Sequence, residues 1–123
     1  MRLVVLMIEV EQPEGVSTRK LILETARHNV ITAYNAKKGI ELLRRFPNVD
    51  VIVVHTEMES LSFEKTVREA KKIRETIPVI GISPRSDRDI DGADYMISSH
   101  DPQALLRLLA EHFEASTSDT DDE

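Results

Sequence analysis

A chain of 123 residues with 41% hydrophobic content holds one ordinary compact domain and has enough apolar matter for a single core. It contains no cysteine and no tryptophan, and only 4% aromatic residues. This excludes disulfides, thiolate metal sites and thiol nucleophiles, and argues against aromatic platforms for sugars or single-stranded nucleic acid. The formal charge is −6, but residues 114–123 hold five acids and no base, so the rest of the chain is left at −1, without the basic excess that a phosphate backbone requires.

Residues 3–8 are a six-residue apolar run, shorter than the roughly 7–15 residues of a signal-peptide core, and acids follow instead of a cleavage site. No stretch approaches the roughly 18–20 apolar residues of a membrane span. The run reads as a strand covered on both faces, and the protein as cytoplasmic, with neither a membrane nor nucleic acid as partner. Residues 9–15 break it with proline, glycine and charge. Residues 16–28 read as a helix capped by Ser17 or Thr18, with Leu21, Ile22, Thr25 and Ala26 facing inward. A strand over 29–33 follows. Asn35 then precedes a helix over 36–45, on whose spacing Ile40, Leu43 and Phe46 fall.

The third strand, residues 50–55, is the clearest. Phe63, Val67, Ala70 and Ile73 recur at helical intervals over residues 62–76. The other face carries Lys65, Arg68, Lys71, Lys72 and Arg74, interleaved with Glu64, Glu69 and Glu75, as in a solvated face with local salt bridges. Residues 78–83 make a fourth strand. Residues 85–91 have room for about one or two helical turns, and 93–97 make a fifth strand. Asp101-Pro102 opens a last helix, with Leu105, Leu108, Leu109 and Phe113 as its core face.

Short apolar strands alternating with helices imply right-handed βαβ units and a parallel sheet wrapped on both sides. The expected architecture is α/β, a three-layer doubly wound domain over residues 1–113, followed by a disordered acidic tail over 114–123. That tail reads as a solubilising extension, a salt adaptation or an interaction segment. In such folds the chemistry sits outside the carboxyl ends of the strands. Glu9 and Glu11 follow the first strand, His55 and Thr56 end the third, Ser83 ends the fourth, and Ser98, Ser99 and His100 follow the fifth.

Several segments are similar to the receiver domain of response regulators across roughly residues 2–113. They are Arg2-Leu3-Val4-Val5-Leu6, Val30-Ile31-Thr32-Ala33-Tyr34, Asp50-Val51-Ile52-Val53-Val54, Pro78-Val79-Ile80-Gly81-Ile82-Ser83 and Gly92-Ala93-Asp94-Tyr95. The proline-led strand ending in a hydroxyl, then Gly-Ala-Asp before a strand and Asp-Pro opening the last helix, are the most distinctive. The resemblance implies a flavodoxin-like (βα)5 fold with strand order 2-1-3-4-5. It also implies a site in which an aspartate ending the third strand accepts a phosphoryl group. Acids after the first strand hold magnesium, a lysine after the fifth contacts the phosphoryl oxygens, and the hydroxyl ending the fourth reports the modification. Such a set works by positioning and charge neutralisation, as a unit.

Here the acceptor position is His55 and the lysine position is Ser98; Ser83 alone matches cleanly. Glu9 and Glu11 stand where the acidic pair belongs, although matching on Pro13 puts Val10 in one of those places. Only eight residues separate Ser83 from Gly92, about six fewer than the resemblance implies, which shortens the fourth helix.

The chain therefore resembles a pseudo-receiver: a stand-alone, non-enzymatic signalling module that binds a protein partner without aspartyl phosphorylation, needs no cofactor, and is open to homodimerisation. Its expected contact surfaces are residues 85–91 and the last helix. The alternative is a phosphotransfer or metal-binding protein using His55 with Glu9 and Glu11. A hydrogen-bonded, inert His55 is preferred to a metal ligand, because a tight site needs three or four protein ligands, and to a nucleophilic imidazole.

Overall fold

The computed structural model describes residues 2–9, 18–56, 62–84 and 92–113. Five strands, β1 (Val4–Ile8), β2 (Asn29–Ala33), β3 (Val51–His55), β4 (Val79–Ser83) and β5 (Tyr95–Ser98), form one parallel sheet in the order β2-β1-β3-β4-β5. Among the described residues the helices are α1 (Thr18–Thr25), α2 (Ala36–Arg45), α3 (Phe63–Ile73) and α4 (Gln103–Phe113). This is the doubly wound (βα)5 order expected. The region where the shortened helix was expected (85–91) and the acidic tail (114–123) lie outside the described residues.

The sheet is hydrophobic on both faces because both are covered. Val5, Met7, Val51, Val53, Ile80 and Ile82 pack with Leu23 and Ala26 of the α1 segment and with Leu105 and Leu109 of α4. The alternate positions Leu6, Ile8, Ile52, Val54 and Val79 pack with Ile40 and Leu43 of α2 and with Phe63, Val67 and Ala70 of α3. Each such buried Val, Leu, Ile, Met or Phe side chain contributes about 1.5–3 kcal/mol relative to exposure. Gly39 lets α2 approach β1 closely: a Cβ there would stand 2.6 Å from Ile8 Cγ1.

Local chemistry sets the helix ends. Asn35 caps α2 by accepting from the Lys38 N–H at 2.8 Å, and Ser62 caps α3 by accepting from the Lys65 N–H at 3.1 Å. Beyond α1, the Arg27 N–H bonds the Glu24 carbonyl and the His28 N–H bonds the Leu23 carbonyl, with Arg27 at φ 71°. That is a Schellman closure whose left-handed position carries arginine where glycine is usual.

Three side chains standing just before a strand, or at its threshold, tie the amino end of the sheet together. The Leu3 N–H donates to His28 Nδ1 at 3.0 Å, while the Asn29 N–H bonds the Leu3 carbonyl. The Val4 N–H donates to Asp50 Oδ2 at 2.7 Å, while the Asp50 N–H bonds the Val4 carbonyl. The Val79 N–H donates to Asp94 Oδ2 at 2.8 Å, while the Asp94 N–H bonds the Val79 carbonyl. Lys71 of α3 reaches the same Asp94 oxygen at 3.1 Å and the Ile77 carbonyl at 2.9 Å. These reciprocal pairs explain why β3 and β5 begin after Asp50 and Asp94, one and two residues later than the apolar pattern suggests.

Three helix faces differ in part from the sequence reading. In the α1 segment Ala26 is buried and Ile22 packs against the core as expected, but Leu23 is fully buried, while Leu21 is 51% exposed and Thr25 is exposed. Phe46 is 42% exposed because the chain leaves helical geometry there (φ −126°, ψ 70°), which turns the ring outward against the Arg45 guanidinium. In α4, Leu106 joins Leu105 and Leu109 in the buried set, with Leu108 and Phe113 packed at its margin.

Asp94→Ala leaves the buried Val79 N–H without its acceptor and should lower unfolding free energy by about 1–3 kcal/mol. Asp94→Asn, which keeps an acceptor, should lose less in the same urea titrations. Conversely, Arg27→Gly removes the cost of a left-handed non-glycine residue and should raise stability by about 1 kcal/mol. A lower urea midpoint for this variant would contradict that assignment.

Candidate functional site

The register at the amino end decides which residues come level at the carboxyl end. Ile8 pairs with Val54, His55 with Ile82, and Ser83 with Ser98. Backbone bonding then runs one residue past the strands. The Glu9 N–H bonds the Ala33 carbonyl at 2.9 Å, the Thr56 N–H the Ile82 carbonyl at 2.9 Å, and the Ser99 N–H the Ser83 carbonyl at 2.8 Å. The strand ends are thus held as firmly as the strands.

Four of the five sequence-predicted positions, Glu9, His55, Ser83 and Ser98, arrive at this edge; Glu11 lies outside the described residues. They do not form one cluster. Alternation along the strands places Glu9 and His55 on the α1/α4 side, in line with Met7 and Val53. Ser83 and Ser98 fall on the α2/α3 side, in line with Val79 and Met96, and Thr56 joins them there, in line with Val54. Glu9 is 2% exposed and Ser83 1% exposed, whereas His55 and Ser98 are half-buried. None of Glu9, His55 and Ser83 is without a partner.

Two features of this edge were not singled out by the sequence. Thr56 Oγ1 is buried and has no hydrogen-bond partner, an unusual state for a hydroxyl. Ser98 Oγ, in the place where the resemblance calls for a lysine, accepts from the His100 N–H at 3.1 Å and so shapes the turn into α4. The expected cap follows: the Gln103 N–H donates to Asp101 Oδ1 at 3.2 Å, with Pro102 between them. Arg107, one turn on, donates to Asp101 Oδ2. That bond, more than any other contact, holds the Asp101 carboxyl below its ordinary value of 3.8; partial desolvation opposes it and the Gln103 amide assists.

The chemistry open to this edge is limited. An imidazole and a buried carboxylate share one side of the sheet, and hydroxyls share the other. Among the described residues no three His, Asp or Glu side chains come together to hold a metal ion. Nor is any described helix long and apolar enough to cross a membrane.

No protein-family model matches the chain, and no curated protein matches it. Solved structures do. A response regulator receiver domain protein of Clostridium thermocellum is 26% identical, with a TM-score of 0.69 over 84% of this chain and 87% of that one. The receiver domain of a Pseudomonas aeruginosa sensor histidine kinase, which has magnesium coordinated in its active-site cleft, is 14% identical. It gives a TM-score of 0.80 over 94% of this chain and 100% of that one. A CheY-like receiver domain protein of Methanospirillum hungatei is 17% identical, with a TM-score of 0.73 over 93% and 95%. The fold is therefore that of response regulator receiver domains, as the sequence resemblance implied.

The α4 cap has a definite pH signature. A lowered carboxylate pKa contributes stability above the unfolded carboxyl range, and that contribution is lost as pH falls through the lowered folded value. Arg107→Ala should move the Asp101 titration, followed by carboxyl carbon NMR, upward towards 3.8. An unchanged midpoint would show that the guanidinium is not the cause.

Proposed function

We propose that this chain is a receiver-fold signalling module that acts through contact with a protein partner and does not use aspartyl phosphorylation. The observation that carries the reading is His55. It ends β3, level with Ile82 of β4, at the position where the resemblance places the phosphoacceptor carboxylate. β3 itself holds no aspartate; Asp50 stands just before it, at the opposite end, and its carboxylate is committed to the Val4 N–H. Ser98, standing for the lysine, offers a hydroxyl already accepting from a backbone amide and no positive charge for phosphoryl oxygens. Phosphoryl transfer depends on charge neutralisation by the whole set, so losing the acceptor and the cation together removes the reaction, not merely its rate.

On this reading the protein is not an enzyme, needs no cofactor, and keeps the scaffold for its surface, with a signalling protein as partner. Fold alone does not specify that partner. Incubation of the full chain with acetyl phosphate and magnesium, followed by intact-mass measurement, should give no phosphoryl adduct. A stable adduct would overturn the reading, and its loss in His55→Ala would transfer the function to phosphohistidine chemistry.

A further inference from the structure

Among the described residues an open groove of about 340 Å³ lies between α2 and α3, lined by Lys37, Ile40, Arg44, Lys65 and Glu69. Lys37, Ile40 and Arg44 stand at i, i+3 and i+7 on α2, one stripe of that helix. Lys65 and Glu69 stand at i and i+4 on α3, the facing stripe. Ile40 is 5% exposed and gives the groove an apolar floor beneath exposed cationic heads.

On α3 the sequence from Lys65 to Arg74 suggests a solvated helix face with local salt bridges. The structure divides those charges unequally. Lys38 pairs with Glu41, Lys72 with Glu69, and Lys71 with Asp94, while Arg74 donates to the Pro47 carbonyl. These contacts occupy Glu41, Glu69 and Asp94. Among the described residues, the side chains of Lys37, Arg44 and Lys65 make no ion pair or hydrogen bond, and these are the three cations that converge on the groove. They come from two helices and enclose an apolar floor, in a chain whose formal charge is −6.

From this charge pattern we infer that the α2–α3 groove docks a short acidic segment of a partner protein, with carboxylates set against Lys37, Arg44 and Lys65 and one apolar side chain over Ile40. The inference rests on the protein-contact reading above and names the surface and the chemistry of the partner. A short peptide suits the site better than a nucleic acid. Exposed charges beyond a Debye length of about 8 Å are screened, so a peptide meets mainly the local cations. A long polyanion also meets the acidic remainder of the chain, and three cations release few counterions.

The test is an NMR titration of the isotopically labelled full chain with a synthetic peptide of glutamates flanking one leucine, against the same peptide with glutamine for glutamate. The expected result is saturable shifts at the Lys37, Ile40, Arg44, Lys65 and Glu69 amides that weaken with added salt and disappear with the glutamine peptide. The double charge reversal Lys37→Glu with Lys65→Glu, both at exposed sites, should weaken binding about tenfold or more. Absence of shifts, shifts centred elsewhere, or unchanged affinity in the double variant would overturn the inference. So would tighter binding in the groove of an oligonucleotide of equal charge, or groove shifts that depend on protein concentration without peptide, which would assign the face to a second copy. Failure here leaves the phosphorylation reading intact, because the mass measurement tests that reading independently.

Discussion

The reciprocal bonding at the amino end of the sheet is the constraint on which the other features depend. A parallel strand begins with backbone groups that its neighbours do not automatically satisfy, and here water is kept away by hydrophobic packing on both faces. His28, Asp50 and Asp94 supply acceptors for the Leu3, Val4 and Val79 amides, while their own strand thresholds donate in return. Each pair locks two chains in one alignment. Because side chains alternate with a period of two, a slip of one residue would exchange the two cores and turn every strand-end residue to the other side.

That alignment governs the carboxyl edge about five residues away. It brings Glu9 level with His55 on one side of the sheet, and Thr56 level with Ser83 and Ser98 on the other. Polar residues from four strand ends therefore arrive at one edge, a glutamate and a histidine on one side of the sheet and hydroxyls on the other. Gly39, by letting α2 lie close on Ile8, belongs to the same arrangement, since it sets the depth at which α2 runs beside α3. The sheet's register and the seating of these two helices thus shape both the strand-end edge and the cationic groove.

Much of this was legible in the chain. Strand 29–33 and helix 36–45 coincide with β2 and α2, because Asn35 is a strong cap and the apolar spacing changes period on either side of it. Ser62 and Asp101-Pro102 marked α3 and α4 for similar reasons. On α1 the sequence points to Ile22 and Ala26, which do face the core, but places Leu21 inward in place of Leu23, because Leu21, Ile22 and Leu23 are consecutive. A continuous apolar run does not define a rotational phase, and only docking on the sheet selected Leu23. Phe46 followed helical spacing on paper but sits where the backbone has already left the helix. The Asp50 and Asp94 clamps carried a faint signal, an aspartate standing at the threshold of an apolar strand in both cases. His28 carried none.

By itself the sequence determined the order of elements, the parallel α/β class, and the polar residues that follow the strands. These follow from local periodicity, capping and residue identity. Only the tertiary structure decided which strand ends stand level, which polar residues share a side of the sheet, and which cations remain unpaired. Charge is a case in point: the five acids of residues 114–123, most of the net −6, are readable from the chain, but the convergence of Lys37, Arg44 and Lys65 is not. Those residues lie on two helices brought together across an intervening strand, and their pairing depends on helix phase and depth. Such quantities are set by long-range packing, and no local pattern encodes them.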